Sequence, residues 1–197
     1  MSINSDILTT WGGKTRKFRK NETVFREDQE PKWYYQILTG KVRMFNSTEE
    51  GKEFTQGIFG AGESFGEPPL LIGKPFPASA IALEDSVIYM LPKDTFHKVL
   101  HEYPEIKDQL LCVMANRVYQ KSLSAKSLIN PSPQTRILNF LTWQRSKMEP
   151  LADRVLIPLT RQEIANCTGL RVETVIRTLH QMNEEKVVDI RNHKLYF

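Results

Sequence analysis

The sequence predicts an α+β chain, with an antiparallel β domain first and helices closed by a small hairpin last. Three observations carry this. From Thr15 to Leu91 short apolar runs alternate with turn residues, and from Pro104 to Ile129 apolar residues recur at helical spacing. From Thr160 onward a helix start, a glycine turn and a second helix follow closely, before two short strands. At 197 residues, 40% hydrophobic and 25% charged, the chain can bury one large core or two modest ones.

The candidate strands are Thr23–Arg26, Trp33–Leu38, Lys41–Phe45, Phe54–Phe59, Ala78–Leu83 and Val87–Met90. Thr39-Gly40, Glu50-Gly51, Gly60-Ala61-Gly62 and the Pro/Gly-rich stretch Gly66–Pro77 separate them. Short strands at such spacing make a sandwich or barrel. Pro92–Phe96 then opens a short helix, and a longer one spans roughly Glu105 to Ile129. Along it Ile106, Leu110, Val113 and Arg117 form one stripe, while Leu111, Met114, Val118, Ala125 and Leu128 form a second. A helix apolar on two faces touches two things. One face is expected to pack on the β domain and the other to pair with a second subunit; the alternative is burial inside a monomer.

Asn130-Pro131-Ser132-Pro133 breaks that helix, because a residue before proline is biased away from the α region. Ser132 can cap a new helix with Pro133 at its first position, running to about Lys147. Its apolar set is Ile137, Leu138, Phe140, Leu141 and Trp143. The expected domains are 1–103, 104–130 as long helix and hinge, and 131–197.

Composition narrows the function. No apolar run is long enough for a bilayer, and the N-terminus has neither a charged nor an apolar leader segment, so a cytoplasmic location is expected. Cys112 and Cys167 are isolated, without the spacing of a zinc site, an iron–sulfur cluster or a disulfide framework. Each is expected to be a small packed residue. Of the net charge of +4, residues 130–197 carry +3 (10 Lys and Arg against 7 Asp and Glu), which suits a phosphate-binding surface there.

The most specific signal runs from Thr160 to Leu179. Thr160 and Glu163 have the spacing of a capping box. Ala165 is small where two helices must cross, and Gly169 can adopt the left-handed turn between them. Leu170 and Val175 lock the pair; Val175, Leu179 and Met182 are the buried side of the second helix, and Glu173 and Arg177 share its outer face. This is a helix-turn-helix, whose second helix enters the major groove of DNA. Lys186–Ile190 and Lys194–Phe197, around Arg191-Asn192-His193, read as a wing, with Arg154–Ile157 as a third strand.

The segment LTRQEIANCTGLRVETVIRTL resembles the DNA-binding signature of the cyclic-AMP receptor protein/FNR (Crp/Fnr) superfamily. Tyr35–Val42 and Gly62–Glu67 resemble its β-roll pattern, so the resemblance spans nearly the whole chain. It implies a cyclic-nucleotide-binding-like antiparallel β-roll (jelly roll), a long dimerisation helix and a C-terminal winged helix-turn-helix. It further implies a homodimer on a pseudo-palindromic operator, with RNA polymerase as partner. By the same resemblance Arg177 donates to a guanine and Glu173 accepts from a cytosine, pairings that suit the base edges. Thr160, Arg161, Gln162, Arg171 and Thr174 match phosphate-gripping positions. Val172 precedes the Glu as in FNR-like members, whereas Ile176 stands where those proteins commonly carry serine.

Cyclic-nucleotide binders of the family pair a Gly-Glu with an Arg-Ser about ten residues later. Gly66-Glu67 is present, but Pro77 stands in the place of the arginine and Ser79 is the nearby hydroxyl. Gly66, Glu67 and Ser79 are thus the effector-site candidates. Without a cation for the phosphate, cyclic-nucleotide binding is not expected. His97, His101, His180 and His193 lie outside the predicted roll strands, and the roll's aromatics (Trp33, Tyr34, Tyr35, Phe54, Phe59, Phe65, Phe76) are expected to be core. No cofactor is identified. Two other classes compete. A cyclic-nucleotide sensor acting on protein partners would need the missing arginine; an enzyme would need a nucleophile, phosphate loop or metal spacing that the sequence does not contain.

Overall fold

The computed structural model describes residues 2–48, 53–129, 132–146 and 154–197, with the side chains of 123–129 outside the description. They form two compact units, residues 1–115 and 116–197.

In the first unit two four-stranded sheets share one core. Strands β1 (Lys14–Phe18), β8 (Ser86–Pro92), β3 (Trp33–Thr39) and β6 (Ser64–Phe65) form one sheet in that order. Strands β2 (Thr23–Phe25), β7 (Ser79–Ala82), β4 (Val42–Ser47) and β5 (Glu53–Phe59) form the other. Every pairing is antiparallel. Strand β3 is buried on both faces from Tyr34 to Ile37, which is why its run is mostly apolar. Tyr35 and Ile37 face the core between the sheets, with Phe18, Phe25, Val42, Phe65 and Phe76. Tyr34 faces a second cluster built from Leu8, Leu70, Phe96, Val99, Ile106 and Leu110. That cluster joins helices α1 (Ser5–Thr10), α2 (Glu67–Ile72), α3 (Lys93–Glu102) and the start of α4 (Pro104–Ile129). On the same side as Tyr34, Gln36 holds the N-terminal segment. Its Oε1 accepts from the Ile3 N–H (2.7 Å) and the Tyr34 hydroxyl (2.8 Å), and its Nε2 donates to the Ile3 carbonyl (2.9 Å).

Several expectations are corrected. Gly66–Pro77 is not only a turn, since it contains α2. Pro68 falls in that helix's first turn, where an amide N–H has no intrahelical partner to lose. Strands β1 and β6 and helix α1 had no counterpart among the predicted elements. Phe54 is half exposed, and so is not core. Cys112 is exposed on α4 instead of packed, and Met114 packs partly against the second cluster, away from the outward stripe. The breaker Asn130-Pro131, the turn Glu50-Gly51 and the helix end at Lys147 lie outside the described residues.

The second unit comprises the remainder of α4, α5 (Pro133–Ser146), α6 (Arg161–Thr168), α7 (Val172–Glu184) and a sheet ordered β10 (Asp189–Arg191), β11 (Lys194–Tyr196), β9 (Leu156–Ile157). Its core is Ile137, Leu141, Ile157, Ile164, Ala165, Val175, Leu179, Met182, Val188 and Leu195.

Candidate nucleic-acid interface

The helix-turn-helix is built by local chemistry. The Thr160 N–H donates to Glu163 Oε2 (2.6 Å), and the Glu163 N–H donates to Thr160 Oγ1 (3.1 Å), the reciprocal cap of α6. The Thr160 hydroxyl also donates to the same carboxylate (2.8 Å), so both its donor and acceptor roles serve the cap. Gly169 ends α6 at φ +67, and the Leu170 N–H donates back to the Ala165 carbonyl (3.2 Å). A β-carbon costs energy in that left-handed conformation, which glycine avoids. Ala165, fully buried, lets α7 cross α6 closely, and Val175, Leu179 and Met182 are buried beneath it.

What remains outside on α7 is one stripe: Glu173, Ile176, Arg177, His180, Gln181 and Glu184 are exposed. Glu173 and Arg177, one helical turn apart, make neither an ion pair with each other nor a side-chain hydrogen bond among the described residues. A carboxylate and a guanidinium with hydrogen-bonding capacity in hand stand ready for base edges. Glu173 also sits in the first turn of α7, where the helix dipole favours an anion. Of the other predicted residues, Arg171 is exposed at the N-cap of α7, Thr174 is half-buried, and Val172 packs partly into the core. Gln162 is exposed and its amide donates to Asn166 (2.9 Å).

Arg161 is partly buried, and that desolvation lowers its pKa from the ordinary guanidinium value. It lines an open groove of about 520 Å³ between β9, the start of α6 and the wing. His193, Lys194, Leu156 and Pro158 line the same groove. The wing was legible in the sequence, but none of its residues was among the DNA-contact candidates. The signal was the two-residue turn: Asn192 and His193 both have positive φ (48° and 63°), the hairpin turn that matches strand twist, and it leaves His193 and Lys194 exposed. Arg191 is held differently. Its guanidinium hydrogen-bonds the Asp189 carboxylate (2.6 Å), which raises its pKa further, and it lies over the Tyr196 ring.

In the first unit the effector candidates are engaged by their own chain. Gly66 has φ +76, and a β-carbon there would meet Phe76 at 3.1 Å and Phe25 at 3.3 Å. Those two rings stack with centroids 3.7 Å apart. Glu67 is fully buried at the start of α2, its carboxylate accepting from the Ser64 hydroxyl. The Ser79 hydroxyl accepts from the Glu27 N–H (3.0 Å). Beside it Asn46 donates to the Pro77 carbonyl (2.6 Å) and to the Glu27 carboxylate (3.1 Å), and Gln56 donates to Asn46 (2.6 Å). Asn46 thereby ties the Glu27 carboxylate to the Pro77 carbonyl. No group of His, Cys, Asp and Glu able to hold a metal occurs among the described residues, and none of their helices is long and apolar enough to cross a membrane.

A β-roll followed by a winged helix-turn-helix with bare polar groups on its second helix defines a DNA-binding regulator. Known proteins agree. Residues 15–103 match the cyclic nucleotide-binding domain, and residues 135–196 match the Crp-like helix-turn-helix domain. The CRP-like cAMP-activated global transcriptional regulator of Mycobacterium tuberculosis is 30% identical over 165 residues, 82% of this chain and 74% of that protein. The cyclic AMP receptor protein of Thermus thermophilus is 29% identical over 174 residues, 88% of this chain and 78% of that one. Among solved structures, FixK2 from Bradyrhizobium japonicum has the same fold, with a TM-score of 0.79 at 21% identity over 93% of this chain and 91% of that one. The chain belongs to the Crp/Fnr family of transcription regulators, and it is a DNA-binding regulator of that type.

Proposed function

We propose that this regulator reads a pseudo-palindromic operator as a homodimer, with Arg177 on a guanine and Glu173 on a cytosine of each half-site. The observation that carries this is the exposed stripe of α7, where the two side chains point outward from a helix locked by Val175, Leu179 and Met182. Arg161, Gln162, Arg171 and Thr174 hold phosphates around that helix, and Lys194 of the wing adds a further cation. Thr160 serves the same surface through its cap, which fixes where α6 begins. The exposed apolar residues Leu111 and Val118 of α4, seven apart, are the pairing surface for the second subunit.

A cyclic nucleotide is not the effector in this reading. The Phe25–Phe76 stack fills the space over Gly66, and Pro77, whose carbonyl accepts from Asn46, stands where a phosphate would need a cation. The function is regulatory and not enzymatic, and RNA polymerase is the partner at the promoter. Selecting bound sequences from random duplexes, then titrating salt on the winner, tests the reading. A two-fold-related pair of half-sites bound without added ligand is expected; binding without sequence preference would overturn it.

A further inference from the structure

We infer that Ile176 is a specificity-determining residue that reads the 5-methyl group of a thymine in each half-site, next to the base pair read by Arg177. The inference rests on α7 being the helix that reads DNA. Ile176 is 41% exposed, the single apolar member of a stripe otherwise made of Glu173, Arg177, His180, Gln181 and Glu184. At 3.6 residues per turn it projects about 60° from Glu173 on the side opposite Arg177, so all three address the same groove. Neither of the ordinary reasons for an isoleucine applies. The core of this unit takes Val175, Leu179 and Met182 from α7 and leaves Ile176 out. Helix propensity disfavours a β-branched side chain, whose χ1 freedom is lost against the preceding turn.

The chemistry of the major groove then singles out the partner. An isoleucine has no donor or acceptor, so it cannot read the hydrogen-bonding edge of any base. The one apolar group that base pairs present in the major groove is the thymine methyl. Covering that methyl with the Ile176 side chain removes apolar surface from water on both sides.

The test uses the full chain and its selected operator, with each thymine replaced in turn by deoxyuridine, which lacks only the methyl. Wild type is expected to bind about fourfold more weakly at one substituted position per half-site, the scale of one buried carbon. Ile176→Ala should bind thymine and deoxyuridine sites equally, whereas Ile176→Val, which keeps a branched methyl, should retain part of the discrimination. The guanine preference set by Arg177 should survive in both variants. Wild type binding every deoxyuridine site as well as the parent, with the guanine preference intact, would overturn this inference alone. Ile176→Ala keeping the thymine preference would do the same. Loss of all sequence preference in wild type would overturn the DNA-reading role of α7 as well.

Discussion

Thr160 and Glu163 close the start of α6 on each other: each backbone N–H donates to the other's side-chain oxygen, at 2.6 and 3.1 Å. The pair sets the first turn of α6, and through Gly169 the direction of α7. In the proposed reading Thr160 serves DNA binding by placing Arg161 and Gln162, its own hydroxyl donating within the chain to Glu163. Thr160→Ala should destabilise the winged-helix unit by about 1 kcal/mol, read by denaturant unfolding, and weaken binding without altering base preference. Thr160→Ser should restore both; a change of base preference in Thr160→Ala would contradict this account.

Arg177 and Arg161 should differ in kind. Arg177→Ala should lose about 1–3 kcal/mol on the best operator and relax one base pair in each half-site. Arg161→Ala should weaken all duplexes alike and make the log–log salt slope shallower by about one unit for each phosphate left without its cation. Competition against specific and scrambled duplexes at several salt concentrations separates the two. Equal losses on both duplexes for Arg177→Ala would misplace the recognition helix.

Leu111 and Val118 are 67% and 65% exposed on α4, with Tyr119 beside them at 61%. Sedimentation should give a dimer at micromolar protein, and Leu111→Glu with Val118→Glu should give a folded monomer whose operator affinity falls at least tenfold. A wild-type monomer would remove α4 as the pairing surface.

Cyclic AMP, even at millimolar concentration, should produce no calorimetric binding of useful affinity, since Pro77 stands where the resemblance calls for the phosphate-binding arginine. Gly66→Ala should destabilise the roll by about 1–3 kcal/mol, combining a left-handed backbone with a β-carbon against the Phe25 and Phe76 rings. A low-micromolar dissociation constant for cyclic AMP would require another basic residue at the phosphate.

Burial raises the Tyr35 phenol to about 12, against an ordinary value of 10.0, with Arg16 opposing weakly. The folded chain thus holds this proton more tightly than the unfolded one. The corresponding stability is complete below pH 10 and is lost as pH rises from 10 toward 12. Two units correspond to about 2.7 kcal/mol at most. Tyr35→Phe should flatten this part of the stability profile, measured by urea unfolding from pH 9 to 12.

The helix-turn-helix could be read from the chain because its determinants are close in sequence. The cap spans Thr160 to Glu163, the turn is one glycine, and the buried stripe repeats every helical turn. The packed stripe of α4, Ile106 and Leu110, was legible for the same reason. Distant contacts decided the rest. Strand β1 exists because Lys14–Phe18 pairs with Val87–Met90 and Ser86, some seventy residues on, and burial in it is confined to Phe18. A polar edge run of that kind has no periodicity of its own. Phe76 was expected in the core, but its partner was not legible: the ring it stacks on, Phe25, comes from a strand far away in the chain. Helical signals are local and accumulate within one turn. The pairing of strands and the filling of a roll are set by surfaces that only the closed chain brings together.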